Sequence, residues 1–194
     1  MISKTLTFLA DFLNHEIRMT HGIDEDRVIA SSLINPDGTV TENIENKVII
    51  SVINLEHETS VHTPGNYVNG GDNSFGKVSP PVHLNLYLLV SANYDSGSYI
   101  EALKMLSTVI AVFQSNTYFT KKKNPTMKSP LEKLTLEIFN LPINELSHIW
   151  SGIGAKYVPS LVYKVRMISI REDLITKEVP GVSGMHNNPN TKNS

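Results

Sequence analysis

Between residues 82 and 90 apolar side chains occupy every second position (Val82, Leu84, Leu86, Leu88, Val90), with His83, Asn85 and Tyr87 between them. Side chains alternate across a strand, so this period of two predicts a β-strand with one buried face. Leu89 breaks the alternation and predicts partial cover over the second face. The turn Asn93-Tyr94-Asp95-Ser96-Gly97 ends the strand, and Ser98 with Glu101 three residues on makes a capping box that opens a helix. Leu103, Leu106, Ile110 and Phe113 then recur at spacings of three and four, widened by Ala102 and Val109, until Asn116 stops the helix. A half-buried strand and an amphipathic helix joined by one short turn form a core unit, and the rest of the chain is expected to pack around residues 80–119.

Upstream, Ile2, Leu6, Leu9, Leu13 and Ile17 fall at helical spacing and Phe8 and Phe12 broaden the stripe, which predicts an amphipathic helix over 2–19. Residues 27–34 read as a strand, Asn35-Pro36-Asp37-Gly38 as a strong turn, and 47–55 (KVIISVINL) as a β-branched run apolar on both faces, hence central in a sheet. Residues 60–81 carry Pro64, Gly65, Gly70, Gly71, Gly76, Pro80 and Pro81 with few aliphatics, and predict a long loop, mobile alone. Downstream, Lys121-Lys122-Lys123-Asn124-Pro125 reads as a basic loop. Leu134, Leu136 and Ile138 alternate with polar residues as a half-buried strand. Pro142 fits the first turn of a helix bearing Ile143, Leu146, Ile149 and Trp150, closed by Gly152 and Gly154, and 161–170 (LVYKVRMISI) is the last strand. The order helix, strand, strand, strand, helix, strand, helix, strand lacks the alternation of a parallel doubly wound fold. It predicts an α+β domain over 1–170: a mainly antiparallel sheet packed with an N-terminal helix, a long central helix and a short third helix, followed by a flexible tail over 171–194.

Composition sets limits on function. A chain of 194 residues with 40% hydrophobic content buries a sizeable core as one domain. Seventeen basic against nineteen acidic residues provide no bulk attraction for nucleic acid, so any charged contact is local. Cysteine is absent, which removes disulfides, thiolate metal sites and cysteine nucleophiles. Lys4, Thr5, Thr7 and Asp11 interrupt the apolar N-terminus, and no run approaches the roughly 20 apolar residues of a membrane span, so neither a signal peptide nor a membrane partner is expected.

Two short motifs invite a chemical reading. Gly71-Asp72-Asn73-Ser74-Phe75-Gly76-Lys77 has the glycine and lysine spacing of a phosphate-binding loop. Val78 stands where a serine or threonine holds magnesium, and Ser79-Pro80-Pro81 leads into a strand instead of the helix whose N–H groups meet phosphate. His57-Glu58-Thr59-Ser60-Val61-His62 has one residue too many for a zinc-protease signature, so its histidines are not one helical turn apart; Glu56, His57, Glu58 and His62 could otherwise ligate a metal. His15, His21, His83, His148 and His186 are dispersed, and no serine sits in a G-x-S-x-G elbow. The expectation is therefore no catalytic residue, no metal and no cofactor, with Lys121–Lys123 a solvated loop or a charged protein contact and Trp150 a core residue.

The blocks SPPVHLNLYLLVSANY, YIEALKMLSTVIAVFQSN, ELSHIWSGIG and YVPSLVYKVRMISI, in this order, resemble the terminator or cap proteins of extracellular contractile injection systems, phage-tail-like particles whose caps are similar to phage tail terminators. The resemblance runs from the N-terminal helix to about Ile170. It implies a structural protein and not an enzyme: a hexameric ring on the tube end opposite the baseplate, with the inner tube protein and the sheath protein as partners. Such a ring stops tube and sheath growth and anchors the terminal sheath ring. It further implies assembly in the bacterial cytoplasm before release as part of the particle. Two other classes stay open at this point: a small enzyme using Gly71–Lys77 or the His57/His62 region, and a soluble adaptor that forms no ring. Ligand- or metal-dependent thermal shifts test the first and mass in solution the second.

Overall fold

The computed structural model describes residues 1–59, 67–69, 74–78, 82–127, 133–170 and 175–180. In chain order the elements are α1 (Ile2–His21), β1 (Val28–Ala30), β2 (Lys47–His57), β3 (Tyr67–Asn69), β4 (Ser74–Val78), β5 (Val82–Asn93), α2 (Tyr99–Ser115), β6 (Tyr118–Thr120), β7 (Lys133–Phe139), α3 (Ile143–Ile153), β8 (Ser160–Ile170) and β9 (Ile175–Pro180). They divide between two compact units, the first made of Met1–Thr59 and His83–Ser169, the second of Ser60–Val82 and Ile170–Ser194.

The first unit is an α+β domain, as its periodicities predict. Its six strands run β1-β2-β5-β8-β7-β6. The ladders β2/β5, β7/β8 and β6/β7 are antiparallel, and β1 pairs with β2 in parallel, over Val28↔Val48 to Ala30↔Ile50. The double-faced apolar run of β2 lies inside the sheet, between β1 and β5. One sheet face presents Val48, Ile50, Leu86, Leu88, Val90, Leu134 and Val165 to Phe8, Leu9, Leu13 and Ile17 of α1 and to Met105, Leu106, Val109 and Phe113 of α2. The opposite face presents Ile49, Leu89 and Val162 to Trp150 of α3 and to Leu33 and Ile44. Leu89, which broke the alternation, is thus buried on the covered second face.

Several expectations change with this packing. His83 and Asn85, expected on a solvent face, are buried because β5 is flanked by β2 and β8 and covered on both sides, while Val82, the first residue of the strand, is exposed. Residues 27–34 provide only three strand residues, and the chain then turns through Asn35–Thr39. The parallel β1 is pinned by a side chain: Asn14 Oδ1 accepts from the N–H groups of Arg27 (2.9 Å) and Val28 (2.8 Å), and Asn14 Nδ2 donates to Val28 O (2.8 Å). On α2 the stripe is rotated relative to its sequence reading, so that Met105 is buried and Leu103 faces outward. Ser98 is the N-cap, but its side chain makes no capping bond, and Glu101 lies 4.0 Å from Arg27 instead. The helices end where glycine permits: Gly22 (φ 65°) closes α1 and Gly154 (φ 76°) closes α3. Pro142, expected in the first turn of α3, sits at its N-cap, immediately before that turn. Strand β6 was not anticipated. It is held by Phe119, fully buried with its ring 5.3 Å from Phe8 and 4.9 Å from Phe12 in edge-to-face contact.

In the second unit, segments expected as a loop (60–81) and a flexible tail (171–194) contribute three strands in the order β3-β4-β9. Both ladders are antiparallel, and β4 lies between its neighbours at Val68↔Gly76↔Glu178. Sequence reading missed them because glycine and proline punctuate the strands, and because the partners of the central ladder lie about a hundred residues apart in the chain.

Candidate functional site

The residues nominated for chemistry do not form a site among the described residues. Gly71, Asp72 and Asn73 lie outside them, as do His62 and His186, while Ser74–Val78 is a strand paired on both edges. A phosphate loop needs free backbone N–H groups at a helix start, and a strand doubly committed to ladders has neither. His57 is the exposed last residue of β2, opposite Leu84. Its neighbours are already engaged: Glu56 Oε2 accepts from Lys164 Nζ (3.0 Å) and Tyr87 OH (2.8 Å), and Glu58 Oε2 from Asn85 Nδ2 (2.9 Å). Among the described residues no group of three or more His, Asp and Glu is placed to hold a metal ion.

One histidine does approach a hydroxyl, His21 Nε2 at 2.9 Å from Thr108 Oγ1 where α1 meets α2. Thr108 Oγ1 donates its own proton to Lys104 O (3.0 Å), so it accepts from the imidazole. That polarity is the reverse of a general base activating a nucleophile.

What the sheet builds instead is a polar ladder across four adjacent strands, β2, β5, β8 and β7. Glu56 meets Lys164 and Tyr87, and Arg166 Nη2 reaches Glu137 Oε1 at 2.6 Å, with Arg166 Nε at 2.9 Å. Hydrogen bonds from Lys164 and then Tyr87 hold the Glu56 carboxyl below the usual glutamate range, while contacts with Tyr87 and Glu56 hold Lys164 above its own. Near neutral pH both stay charged, so neither is poised to move a proton. The ladder clasps strands together. Sequence reading misses it because it weighs Glu56 only as a metal ligand, while Glu137, Lys164 and Arg166 look like ordinary outward positions until the register brings them side by side.

Next to the ladder, Val52, Tyr87, Phe139, Leu141, Ile149 and Ile153 line an open groove of about 620 Å³. Small-molecule sites pair an apolar lining with convergent polar groups. Here the Tyr87 hydroxyl is already spent on Glu56, which leaves the groove the character of a contact surface. Other large apolar side chains stand in solvent: Tyr99, Ile100 (76% exposed) and Leu103 on α2, Tyr118 on β6, Ile143 (86% exposed) on α3, and Tyr157. Lys123 Nζ lies 5.0 Å above the Tyr118 ring and 3.4 Å from Asn116 Oδ1. Among the described residues no helix is long and apolar enough to cross a membrane.

No curated protein matches the chain. Among solved structures, the chain is similar to the sheath/tube terminator of an extracellular contractile injection system, PVC, in its extended state, with a TM-score of 0.67 at 13% identity, over 100% of this chain and 65% of that one. It is also similar to the tube-terminating cap of the anti-feeding prophage, with a TM-score of 0.61 at 14% identity, over 93% of this chain and 60% of that one. The chain therefore spans less than two thirds of either protein, and at these identities the likeness establishes the fold. The family described as the Pvc16 N-terminal domain matches residues 4–184, nearly the whole chain, and to that family this chain belongs.

Proposed function

We propose that this chain is a structural cap, a tail terminator that ends the growth of tube and sheath in a contractile injection particle. The observation that carries the reading is the family match over residues 4–184, together with a fold shared along the whole chain with a sheath/tube terminator. The surface chemistry supports it, since exposed apolar side chains and self-satisfied polar clasps serve assembly. The reading assigns no catalytic, cofactor or metal residue. The chain acts as a ring of six whose partners are the inner tube protein and the sheath protein, and it anchors the terminal sheath ring. It assembles in the bacterial cytoplasm and leaves with the particle. Residues 1–170 hold most of the terminator-like fold, and residues 171–194, which add β9 to the ladder of β4, serve as a contact segment.

Physically, a tube elongates because each layer exposes a surface the next layer uses. A terminator binds that surface and presents one that the tube protein cannot use. Identical subunits close into a ring through a heterologous interface, in which two different faces meet and the rotation closes. The test is electron microscopy of particles made with and without this chain. The expected result is a narrow length distribution with it, and over-long or ragged ends without it. Unchanged ends in its absence would remove the reading.

A further inference from the structure

We infer that the outer face of α2's first turns, with the acidic loop beside it, is the docking surface for the basic loop 121–123 and Tyr118 of a second copy of this chain. The inference rests on the ring reading above and names the two faces that meet in it.

The first face is an unpartnered helix surface. Tyr99 is 52% exposed, Ile100 76% and Leu103 37%. Leaving three large apolar side chains in water on one helix end is unfavourable for a solitary subunit, at about 25 cal/mol for each Å² that a partner would cover. The acidic loop lies alongside: Arg27 pairs with Glu25 (3.4 Å) and reaches Glu101 in α2's first turn (4.0 Å), so these carboxylates share one guanidinium. Asp24 and Asp26 flank Glu25, with Arg18 3.5 Å from Asp26. Asp24, Glu25, Asp26 and Glu101 are set there against Arg18 and Arg27, the cations seen to pair with this group among the described residues, so the end keeps an acidic excess. The helix dipole accounts for Glu101 alone, because its effect fades within the first turn.

The second face lies at the other end of the same helix. Asn116, which caps α2, accepts from Lys123 Nζ, and Lys121, Lys122 and Lys123 are exposed in the turn after β6. Tyr118, half exposed, carries Lys123 over its ring. This face repeats the composition of the first, an exposed aromatic beside a cluster of charge, with the sign inverted. The 17 residues of α2 separate the two by roughly 25 Å at 1.5 Å per residue. Complementary faces at opposite ends of one rigid helix cannot meet within a subunit. They meet between subunits head to tail, which is the heterologous contact a ring requires.

The occupant is thus a second copy, and a charge-swap experiment on the full chain tests it by native mass spectrometry, with microscopy of tube ends as the second readout. One variant carries Lys121→Glu and Lys122→Glu, the other Asp24→Lys and Glu25→Lys; circular dichroism confirms that both fold. Each variant alone is expected to lose the ring. An equimolar mixture is expected to regain it, because every contact then joins an acidic to a basic face. Ile100→Ser, a change at an exposed position, is expected to weaken the ring at least tenfold without lowering the subunit's Tm. Raising salt from about 0.1 M, where charges are felt over about 10 Å, to about 1 M, where the range is about 3 Å, should weaken the wild-type ring. If the wild type forms rings and both variants form them equally well, or the mixture fails to restore them, this pairing of faces is wrong while the ring stands. If the wild type forms no ring even on tube and sheath, the ring reading itself fails and this inference with it.

Discussion

Asn14 shows how much one side chain can decide in this fold. β1 has only three residues and pairs in parallel, and Asn14 provides three hydrogen bonds that a longer ladder would otherwise make. Asn14→Ala leaves partly buried backbone groups at Arg27 and Val28 without partners, and is expected to cost about 1–3 kcal/mol, read by urea unfolding. Tyr163 is the converse case. Its hydroxyl is buried with no partner among the described residues, and burial pushes its pKa up to about 12. The folded phenol thus holds its proton more tightly than the unfolded one, whose value is near 10. The resulting stability is complete below about pH 10 and is lost as pH rises toward about 12. Tyr163→Phe is expected to leave neutral-pH stability equal or higher and to blunt that alkaline loss in a series of thermal melts. A steeper alkaline loss in the variant would show that the phenol has a partner. Neither residue is prominent in sequence: Asn14 sits on the flank of an apolar stripe, and Tyr163 reads as one more large residue in a strand.

At the scale of elements, what was legible is what a short window contains. The helices α1 and α3 and the strands β2, β5 and β7 each follow from spacing of two or of three and four, and each element is present, although the faces differ in part: Ile143 of α3, Ile138 of β7 and Val52 and Leu55 of β2 are exposed, and β5 is covered on both faces. What was missed depends on partners far away in the chain. β6 is a strand because Phe119 meets Phe8 and Phe12, and β3, β4 and β9 are strands because 67–78 meets 175–180. The candidate contact faces were less legible still. Leu103 carried the period of a core residue, and only the observed rotation of α2 shows it outside beside Tyr99 and Ile100. This division of the strands makes truncation informative. Removing 172–194 deletes β9 and leaves the second unit only the β3/β4 ladder, whereas the first unit is complete by Ser169. Calorimetry of the truncated chain should retain the main cooperative transition, while hydrogen exchange at Ser74–Val78 accelerates. Loss of the main transition would show that the two units fold only together.

At the scale of the whole molecule, a cap and an enzyme differ in how their effect depends on amount. A depolymerising enzyme turns over, so a small fraction of it shortens every tube in time. A cap is consumed: one ring occupies one end and stays there. When growing tubes are mixed with increasing amounts of the chain, the mean length is therefore expected to fall in proportion to rings added per growing end, reaching a plateau when every end is occupied. Tubes already grown should keep their length when the chain is added afterwards, since a surface that blocks addition has no means of removing layers beneath it. Folding and capping also separate cleanly in such a titration. Leu13→Ala empties a fully buried α1 position and is expected to cost about 2–5 kcal/mol, lowering the dose of active rings by unfolding subunits. Ile100→Ser, at an exposed position, is expected to leave the subunit intact and, on the ring proposal, to shift the dose only through assembly. If length instead declines with time at a fixed, substoichiometric dose, the chain turns over, and the structural role proposed for it would have to be abandoned in favour of catalysis.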